Sequence, residues 1–259
     1  MPSEIARIAI RSVVVIEAQE FLGTAYGTGF FVRDDLVATS YHVVKESYDI
    51  SARLVGRDAS YLCTVVGKDE ENDLAILEVQ GLHGYALGLA LTPAQVGQEI
   101  YVLSNPAEYE GTFTRGMVNA YRARDMQIDS PLSHGSSGGP VLNKRAQVVA
   151  IVRASETAGQ NLDFAIPVAY LARLISVARP VAANAGNRRA VSRMSPMEAK
   201  VESVYTDQGL EGLLDYYEKY VEYMDQEEVK DARKVLRRAK IKIIKHPEEL
   251  KERRLKNKH

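Results

Sequence analysis

Ser137 lies between small residues in the segment Gly-Ser-Ser-Gly-Gly-Pro at positions 135–140. This order suits a nucleophile on a tight turn whose backbone N–H groups point at a developing oxyanion. Gly135 can turn there without a Cβ atom in the way. The segment therefore predicts Ser137 as a nucleophile. It also predicts an oxyanion hole formed by the N–H groups of Gly135 and Ser137, with Ser136 between them.

Two upstream residues could complete a hydrolytic triad with Ser137. His42 follows an apolar strand pattern, and Asp73 stands at the entrance of another. A serine needs a base to become nucleophilic, and imidazole titrates near neutral pH. The base in turn needs a carboxylate that holds its tautomer and stabilises the imidazolium. The order His, Asp, Ser along the chain is the chymotrypsin-like order, so we predict His42 as the general base and Asp73 as its orienting carboxylate.

Six segments carry a resemblance to a known family, and they occur in this order: 27–31, 39–44, 73–77, 96–106, 135–140 and 164–167. Together they resemble the trypsin-like serine protease domain of the HtrA (Deg) type, from about residue 10 to about residue 178. The resemblance implies a mainly β fold with two six-stranded chymotrypsin-like barrels and the triad in the cleft between them. It also implies endopeptidase activity on protein or peptide substrates, with no cofactor and no metal.

The chain departs from the resembling family at several positions. Zymogen-activated relatives have an Asp before the nucleophile that pairs with a freed N-terminal amine. Ser136 cannot make this ion pair, so we do not expect activation by N-terminal cleavage. Tyr41 stands where a small residue is common. The pattern at 195–259 is helical rather than the mixed strands of a PDZ domain, so we do not transfer recognition of substrate C-termini.

The primary specificity pocket is less clearly marked than the triad. In the family, the segment six residues before the nucleophile forms its base, which corresponds here to Pro131 followed by Leu132. No carboxylate is present there to pair with a basic P1 residue, and we expect small or medium aliphatic P1 residues. Arg153, on a predicted strand, could instead reach an acidic P1 residue or be a solvated strand arginine. His134 is interpreted as a loop residue rather than a second base.

Short β-branched runs separated by Gly, Asn or Asp predict a chain built from about a dozen strands, followed by a helix. Apolar residues at helical spacing mark that helix at 167–177. We therefore predict a protease domain at 1–179, a linker at 180–194 and a helical, basic region at 195–259. The predicted strands are 13–16, 29–32, 35–38, 48–54, 61–66, 74–79, 99–103, 116–121, 126–129, 140–142, 148–152 and 163–166.

The C-terminal region differs from the rest of the chain in charge. Residues 225–259 carry 13 Lys and Arg against 7 Asp and Glu, whereas the whole chain has a net charge of −1. A basic helical tail can bind an acidic partner or mediate self-association, but a solvated charged face is the favoured interpretation. No aromatic residue interleaves the basic ones, which disfavours a nucleic-acid partner.

The overall composition is that of a soluble globular protein. The chain has 259 residues, of which 46% are hydrophobic and 26% charged, and its one cysteine excludes an internal disulfide. No apolar run is long enough for a membrane span, and no signal peptide is visible, so we expect a cytoplasmic location. Three functions stay open: a constitutive serine endopeptidase, an effector protease activated by a partner, and an inactive scaffold whose tail binds a partner.

Overall fold

The unbroken apolar runs of the sequence form strands that are buried on both faces in the computed structural model. After Asp73, Leu74 and Ile76 pack into one apolar cluster, whereas Ala75 and Leu77 pack into another. Successive side chains of a strand point to opposite faces. An apolar residue at every position therefore allows one strand to contribute to two cores.

The structure describes residues 1–20, 23–90, 92–106, 109–153 and 163–178, together with Lys219, Val229 and Lys230. Within these residues there are twelve strands and three helices. The strands are β1 (Val13–Glu20), β2 (Gly23–Phe31), β3 (Leu36–Ser40), β4 (Asp49–Leu54), β5 (Tyr61–Asp69), β6 (Leu74–Val79), β7 (Glu99–Ser104), β8 (Thr112–Arg122), β9 (Asp125–Ile128), β10 (Pro140–Leu142), β11 (Val148–Arg153) and β12 (Asp163–Pro167). The helices are α1 (Pro2–Ala9), α2 (Tyr41–Val44) and α3 (Val168–Val177).

The twelve strands close into two barrels of six. The strand order is β1-β2-β3-β6-β5-β4 in the first barrel and β10-β11-β12-β9-β8-β7 in the second. Pairing is antiparallel, as between β3 and β6, where Leu36 lies opposite Glu78 and Ser40 opposite Leu74. The predicted mainly β fold with two six-stranded barrels is confirmed.

Three apolar clusters fill this architecture. One lies inside the first barrel, with Phe31 and Leu77 among its members, and one inside the second, with Ile100 and Met126. The third combines residues of both barrels with residues of α1 and α3. The barrels are therefore joined by a continuous apolar core, which holds the cleft between them in a defined shape.

Helix α3 was predicted and α1 was not. In α3 the buried residues Val168, Leu171 and Leu174 follow helical spacing. In α1 the signals are present but short: a proline in the first turn, an acidic residue there, and two buried apolar residues four apart, Ile5 and Ala9. These features are typical of a helix start and of an amphipathic helix face. Ile5 and Ala9 pack into the apolar cluster that both barrels share.

Contacts divide the chain into two compact units. The first comprises Met1–Ala18, Thr24–Glu46 and Ile50–Ala183. The second comprises Gln19–Gly23, Ser47–Asp49 and Asn184–His259, most of which lies outside the described residues. The linker predicted at 180–194 lies outside the described residues, as does the helical region predicted at 195–259 apart from Lys219, Val229 and Lys230, and both stay predictions. No helix in the described part of the chain is both long and apolar enough to cross a bilayer.

One ionic cluster joins strands of the first barrel to the loop before β8. The guanidinium of Arg53 on β4 donates to Glu17 on β1 at 3.2 Å and to both carboxylate oxygens of Glu110. The hydrogen bonds from Arg53 hold the pKa of Glu110 below its ordinary value. The pair is partly shielded from water, with side chains 21% and 28% exposed, so screening does not cancel it.

We predict that Glu110→Gln lowers the free energy of unfolding at pH 7 by about 1 kcal/mol, because one charge of a shielded pair is lost. A carboxylate whose pKa is lowered by folding stabilises the protein above its unfolded pKa and stops doing so as pH falls through the folded pKa. The difference between the two proteins should therefore close below the ordinary glutamate pKa of about 4.3. Denaturant unfolding at pH 7 and at acid pH measures it. Asp58→Asn, an exposed carboxylate, is the matched control; equal effects of both changes would contradict the prediction.

Candidate active site

The carboxylate of Asp73 holds His42 at two points. Asp73 Oδ2 lies 2.7 Å from His42 Nδ1, and Asp73 Oδ1 accepts the backbone N–H of His42 at 2.8 Å. The Asp73 side chain is only 12% exposed, whereas that of His42 is 39% exposed. A shielded carboxylate on Nδ1 fixes the neutral ring in the tautomer that leaves Nε2 as a proton acceptor.

Local backbone geometry produces this arrangement. Asp73 has a φ of 53° at the start of β6, a conformation that Asp tolerates better than most residues. Its carboxylate reaches the first turn of α2, whose early N–H groups have no partner within the helix. The N-cap Ser40 makes no side-chain capping bond, so Asp73 satisfies a helix terminus from a distant part of the chain. The carboxylate that orients the His42 ring through Oδ2 therefore also stabilises α2 through Oδ1.

The carbonyl oxygen of Val152 joins the neighbourhoods of His42 and Ser137. It accepts the hydroxyl of Ser40, two residues before His42, at 3.1 Å. It also accepts the N–H of Gly138, one residue after Ser137, at 2.9 Å. Val152 on strand β11 of the second barrel therefore holds Ser40, near His42, close to Gly138, next to Ser137.

Only glycine fits at position 138, because the backbone of the first barrel packs directly against it. Its φ is 85°, and a Cβ atom there would lie 2.2 Å from the carbonyl oxygen of Thr28 and 2.8 Å from the backbone nitrogen of Ser40. No side chain fits against two backbone atoms at such distances. The glycine after the candidate nucleophile Ser137 thus allows the first barrel to approach the loop of residues 133–139, which is called the nucleophile loop below.

Two N–H groups of the nucleophile loop make no hydrogen bond to any residue that the structure describes. Ser136 donates its N–H to the carbonyl of Ser133 at 3.0 Å, which closes a turn whose third residue, Gly135, has a φ of 88°. A positive φ at that turn position favours glycine. Among the described residues, the N–H groups of Gly135 and Ser137 have no acceptor. They are the two groups that the sequence predicted as oxyanion donors, and Ser136 lies between them.

The hydroxyl of Ser137 and the imidazole of His42 are not hydrogen-bonded to each other within the described part of the chain. Catalytic hydrogen bonds in unliganded enzymes are often long and tighten when substrate binds. Ser137 is buried with 4% exposure, whereas the His42 side chain is accessible. The geometry fixes His42 from the Asp73 side and the loop backbone from the β11 side.

Arg153 lies beside Asp73. Its Nη1 donates to both carboxylate oxygens of Asp125 on β9, at 2.9 and 3.2 Å, and its Nε lies 4.0 Å from Asp73 Oδ2. Pro131 is exposed, and Leu132 packs against the core of the second barrel. Sequence reasoning did not identify Asp125, because an acidic residue at a strand start carries no local sign of a distant arginine.

Three further features bear on the chemistry. His134 is an exposed loop residue. Burial raises the pKa of the Tyr41 phenol, whose hydroxyl donates to Glu70 at 3.4 Å, so Tyr41 is neutral at pH 7. No group of three or more His, Cys, Asp or Glu side chains in the described ranges is arranged to hold a metal ion.

Comparison with known proteins gives a consistent set of similarities. Residues 27–151 match the family described as a trypsin-like peptidase domain. A probable periplasmic serine endoprotease, DegP-like, from Hahella chejuensis is 31% identical over 156 residues, covering 55% of this chain and 33% of that protein. The serine protease PepD of Mycobacterium tuberculosis is 28% identical over 210 residues, covering 66% of this chain and 45% of PepD.

Solved structures agree with these sequence similarities. The active form of the Rv3671c protease from M. tuberculosis superposes with a TM-score of 0.64 and 26% identity, covering 68% of this chain and 85% of that one. The chain spans about a third of the length of the DegP-like relatives that it matches. Those relatives are named as periplasmic, so they do not support the cytoplasmic location expected from the N-terminal residues.

We predict that Gly138→Ala disrupts the site far more than Gly56→Ala. Both glycines have a positive φ, 85° and 69°, so both changes introduce similar backbone strain. Only Gly138 faces backbone atoms closer than any Cβ can approach, whereas nothing lies within 4 Å of the Cβ position at Gly56. Thermal unfolding should show a loss of about 1 kcal/mol for Gly56→Ala and several for Gly138→Ala. Equal losses would mean that the close approach at Gly138 does not exist in solution.

Proposed function

Because residues 27–151 of this chain form a trypsin-like peptidase domain related to the HtrA/DegP serine proteases, we propose that the protein is a serine endopeptidase acting through a covalent acyl-enzyme. The observation that supports this most directly is the pair of hydrogen bonds that the Asp73 carboxylate accepts from His42, from the ring Nδ1 at 2.7 Å and from the backbone N–H at 2.8 Å. A carboxylate that serves both a ring nitrogen and a backbone N–H fixes the imidazole in position as well as in tautomer.

In the proposed reaction, Ser137 Oγ attacks the carbonyl carbon of the scissile peptide bond while its proton passes to His42 Nε2. The carbonyl oxygen becomes an oxyanion that accepts the N–H groups of Gly135 and Ser137. Asp73 stays ionised and stabilises the imidazolium. Two preorganised donors at a developing charge stabilise the transition state more than the substrate, and the loss of one such donor costs about 10²–10³ in kcat.

The intermediate then collapses in two stages. His42 donates its proton to the leaving amine, the C–N bond breaks, and the acyl group remains on Ser137. A water molecule attacks the ester carbon while His42 accepts its proton, and the second tetrahedral intermediate releases the carboxylic acid and restores the Ser137 hydroxyl. Each proton that His42 accepts is returned, so the cycle needs no cofactor.

For the primary pocket we propose a preference for small or medium aliphatic P1 residues. The contacts of Arg153 support it, because the guanidinium is already bound by the Asp125 carboxylate and lies near Asp73. An acidic P1 residue would have to compete with those two carboxylates. Pro131 and Leu132 supply no charge for a basic P1 residue.

Two sequence-based expectations remain predictions beside this proposal. The partner-binding or self-associating role of residues 195–259 concerns a region of which the structure describes only Lys219, Val229 and Lys230. The cytoplasmic location is not favoured by the relatives, whose names point to the periplasm. The alternatives of a partner-activated protease and an inactive scaffold are separated from the main proposal by the labelling experiment below.

We expect a fluorophosphonate probe to form one covalent adduct with the wild-type protein and none with Ser137→Ala, measured by intact mass. The probe reports an activated serine in a formed oxyanion hole whatever the P1 preference. Asp73→Asn should lower peptide hydrolysis by about 10⁴ in kcat, because His42 is then held in the wrong tautomer. Ser60→Ala, an exposed serine, is the control and should be labelled like wild type. Absence of an adduct on wild type would favour a latent or inactive site.

We predict that Asp125→Asn increases cleavage after an acidic P1 residue. Loss of the Asp125 charge releases Arg153, so the ratio of kcat/KM for a peptide with Glu at P1 to its Val counterpart should rise on the order of tenfold. The same ratio should stay unchanged in Asp58→Asn. A wild-type protein that already prefers Glu at P1 would show that Arg153 binds substrate despite Asp125, and the aliphatic preference would be wrong.

A further inference from the structure

Thr28 on β2 contacts the nucleophile loop with both its backbone and its side chain. Its N–H donates to the carbonyl of Ser137 at 2.8 Å, and its hydroxyl donates to the carbonyl of Gly135 at 2.7 Å. Thr28 is completely buried. One residue of the first barrel thus binds the two carbonyls on either side of Ser136.

The direction of the hydroxyl bond follows from a second partner. The backbone N–H of Asn105 points at Thr28 Oγ1 from 2.9 Å. An N–H can only donate, and a hydroxyl has one proton, so the Thr28 proton is directed at Gly135. Asn105 is itself fixed, because its side chain donates to Val14 at 2.9 Å and accepts from Gly111 at 2.9 Å.

These bonds set one peptide plane in the nucleophile loop. The peptide between Gly135 and Ser136 is held at its oxygen by Thr28 and at its N–H by the carbonyl of Ser133. The N–H groups of Gly135 and Ser137, which have no acceptor in the described part of the chain, belong to the peptides directly before and after it. Fixing the middle peptide therefore constrains the direction of both proposed oxyanion donors.

The hydrogen bonds named in this arrangement are all made by neutral groups. The Ser136 hydroxyl accepts from Ser104 Oγ at 3.2 Å and from the N–H of Ser133 at 3.4 Å, and the carbonyls of Gly135 and Ser137 accept from Thr28. An ion pair to a freed N-terminal amine is impossible for Ser136. Neutral, buried hydrogen bonds do not depend on a titrating amine and are strengthened by the low dielectric of a protein interior.

We propose that Thr28 is the positioning residue that holds the oxyanion donors of this protein in their productive direction, through its hydroxyl bond to Gly135. The expected effect of Thr28 on catalysis rests on the proposed function, whereas its expected effect on the direction of the Gly135–Ser136 peptide rests on the hydrogen-bond geometry alone. The two can be tested separately.

The structural test uses a feature of the sequence. Gly135-Ser136 is the only Gly-Ser pair in the chain. Protein labelled with carbonyl-¹³C glycine and ¹⁵N serine therefore gives a single signal in an NMR experiment that correlates a carbonyl with the following amide. That signal reports the peptide plane in question, and it needs no catalysis. We expect Thr28→Val to shift or broaden it and Thr28→Ser to leave it near its wild-type position.

Thr39→Val is the matched control. The Thr39 hydroxyl is also completely buried and donates at 2.8 Å, but to the carbonyl of Thr28 rather than to the nucleophile loop. The Thr39→Val substitution removes an equivalent hydrogen bond from the same region and should lower the free energy of unfolding. It should leave the Gly135-Ser136 signal and the rate of fluorophosphonate labelling close to wild type.

The kinetic test follows the same variants with a peptide substrate. Thr28→Val should lower kcat by about tenfold or more with little change in KM, because the donors act mainly in the transition state. Thr28→Ser should recover most of the rate. A residue that only stabilised the fold would lower the melting temperature without this division between kcat and KM.

The outcomes separate the two hypotheses. If wild type is not labelled but Thr28→Val moves the signal, the proposed enzymatic function fails and the positioning role of Thr28 stands. If wild type is labelled but Thr28→Val leaves the signal in place, the positioning role is wrong. It is also wrong if Thr39→Val moves the signal equally, or if Thr28→Ser does not restore both signal and rate.

Discussion

The close approach of two backbones at Gly138 is the constraint on which the site depends. The carbonyl of Thr28 and the nitrogen of Ser40 lie where a Cβ atom of residue 138 would stand. Buried N–H and carbonyl groups must find partners, and at this point they find them across the two barrels, with Val152 accepting from both sides. The relative position of the chain near His42 and Ser137 is therefore set by hydrogen bonds to backbone carbonyls, donated by the N–H groups of Thr28 and Gly138 and by the hydroxyl of Ser40.

The charged side chains near His42 lie beside the contact between the two barrels at Gly138. The carboxylate of Asp73 is occupied by His42, and the guanidinium of Arg153 stands beside it, itself neutralised by Asp125. The turn before β9 adds a second pair, Arg124 with Glu71, two residues before Asp73. Both arginines belong to the second barrel, so two ionic contacts link it to the segment that carries Asp73.

The N–H groups of Gly135 and Ser137, which make no hydrogen bond to another described residue, need a backbone that keeps them pointing in a fixed direction. In the nucleophile loop the bonds that hold this backbone come from Thr28, Ser104 and Ser133. Donors held in a fixed direction can stabilise a charge that appears only during reaction, without reorganising at that moment.

The sequence predicted about a dozen strands and the three residues His42, Asp73 and Ser137 for physical reasons that can be stated, whereas the two six-stranded barrels were an implication of the family resemblance. Strand content follows from runs of β-branched residues, and a reactive serine needs glycines around it, a base and a carboxylate. The strand prediction was close for β6 and β11 because their apolar runs end sharply. It missed α1, since eight residues carry too few turns to establish a period.

Only the tertiary structure decided how these residues meet. Nothing near Thr28 in the sequence indicates that its hydroxyl binds Gly135, which is 107 residues away. The same holds for Arg153 and Asp125, and for Asn105 as the donor that orients Thr28. The type of a residue determines which hydrogen bonds its side chain can make. Its partner is chosen by chain folding, because burial removes water as the alternative partner and leaves only the groups that the two barrels bring together.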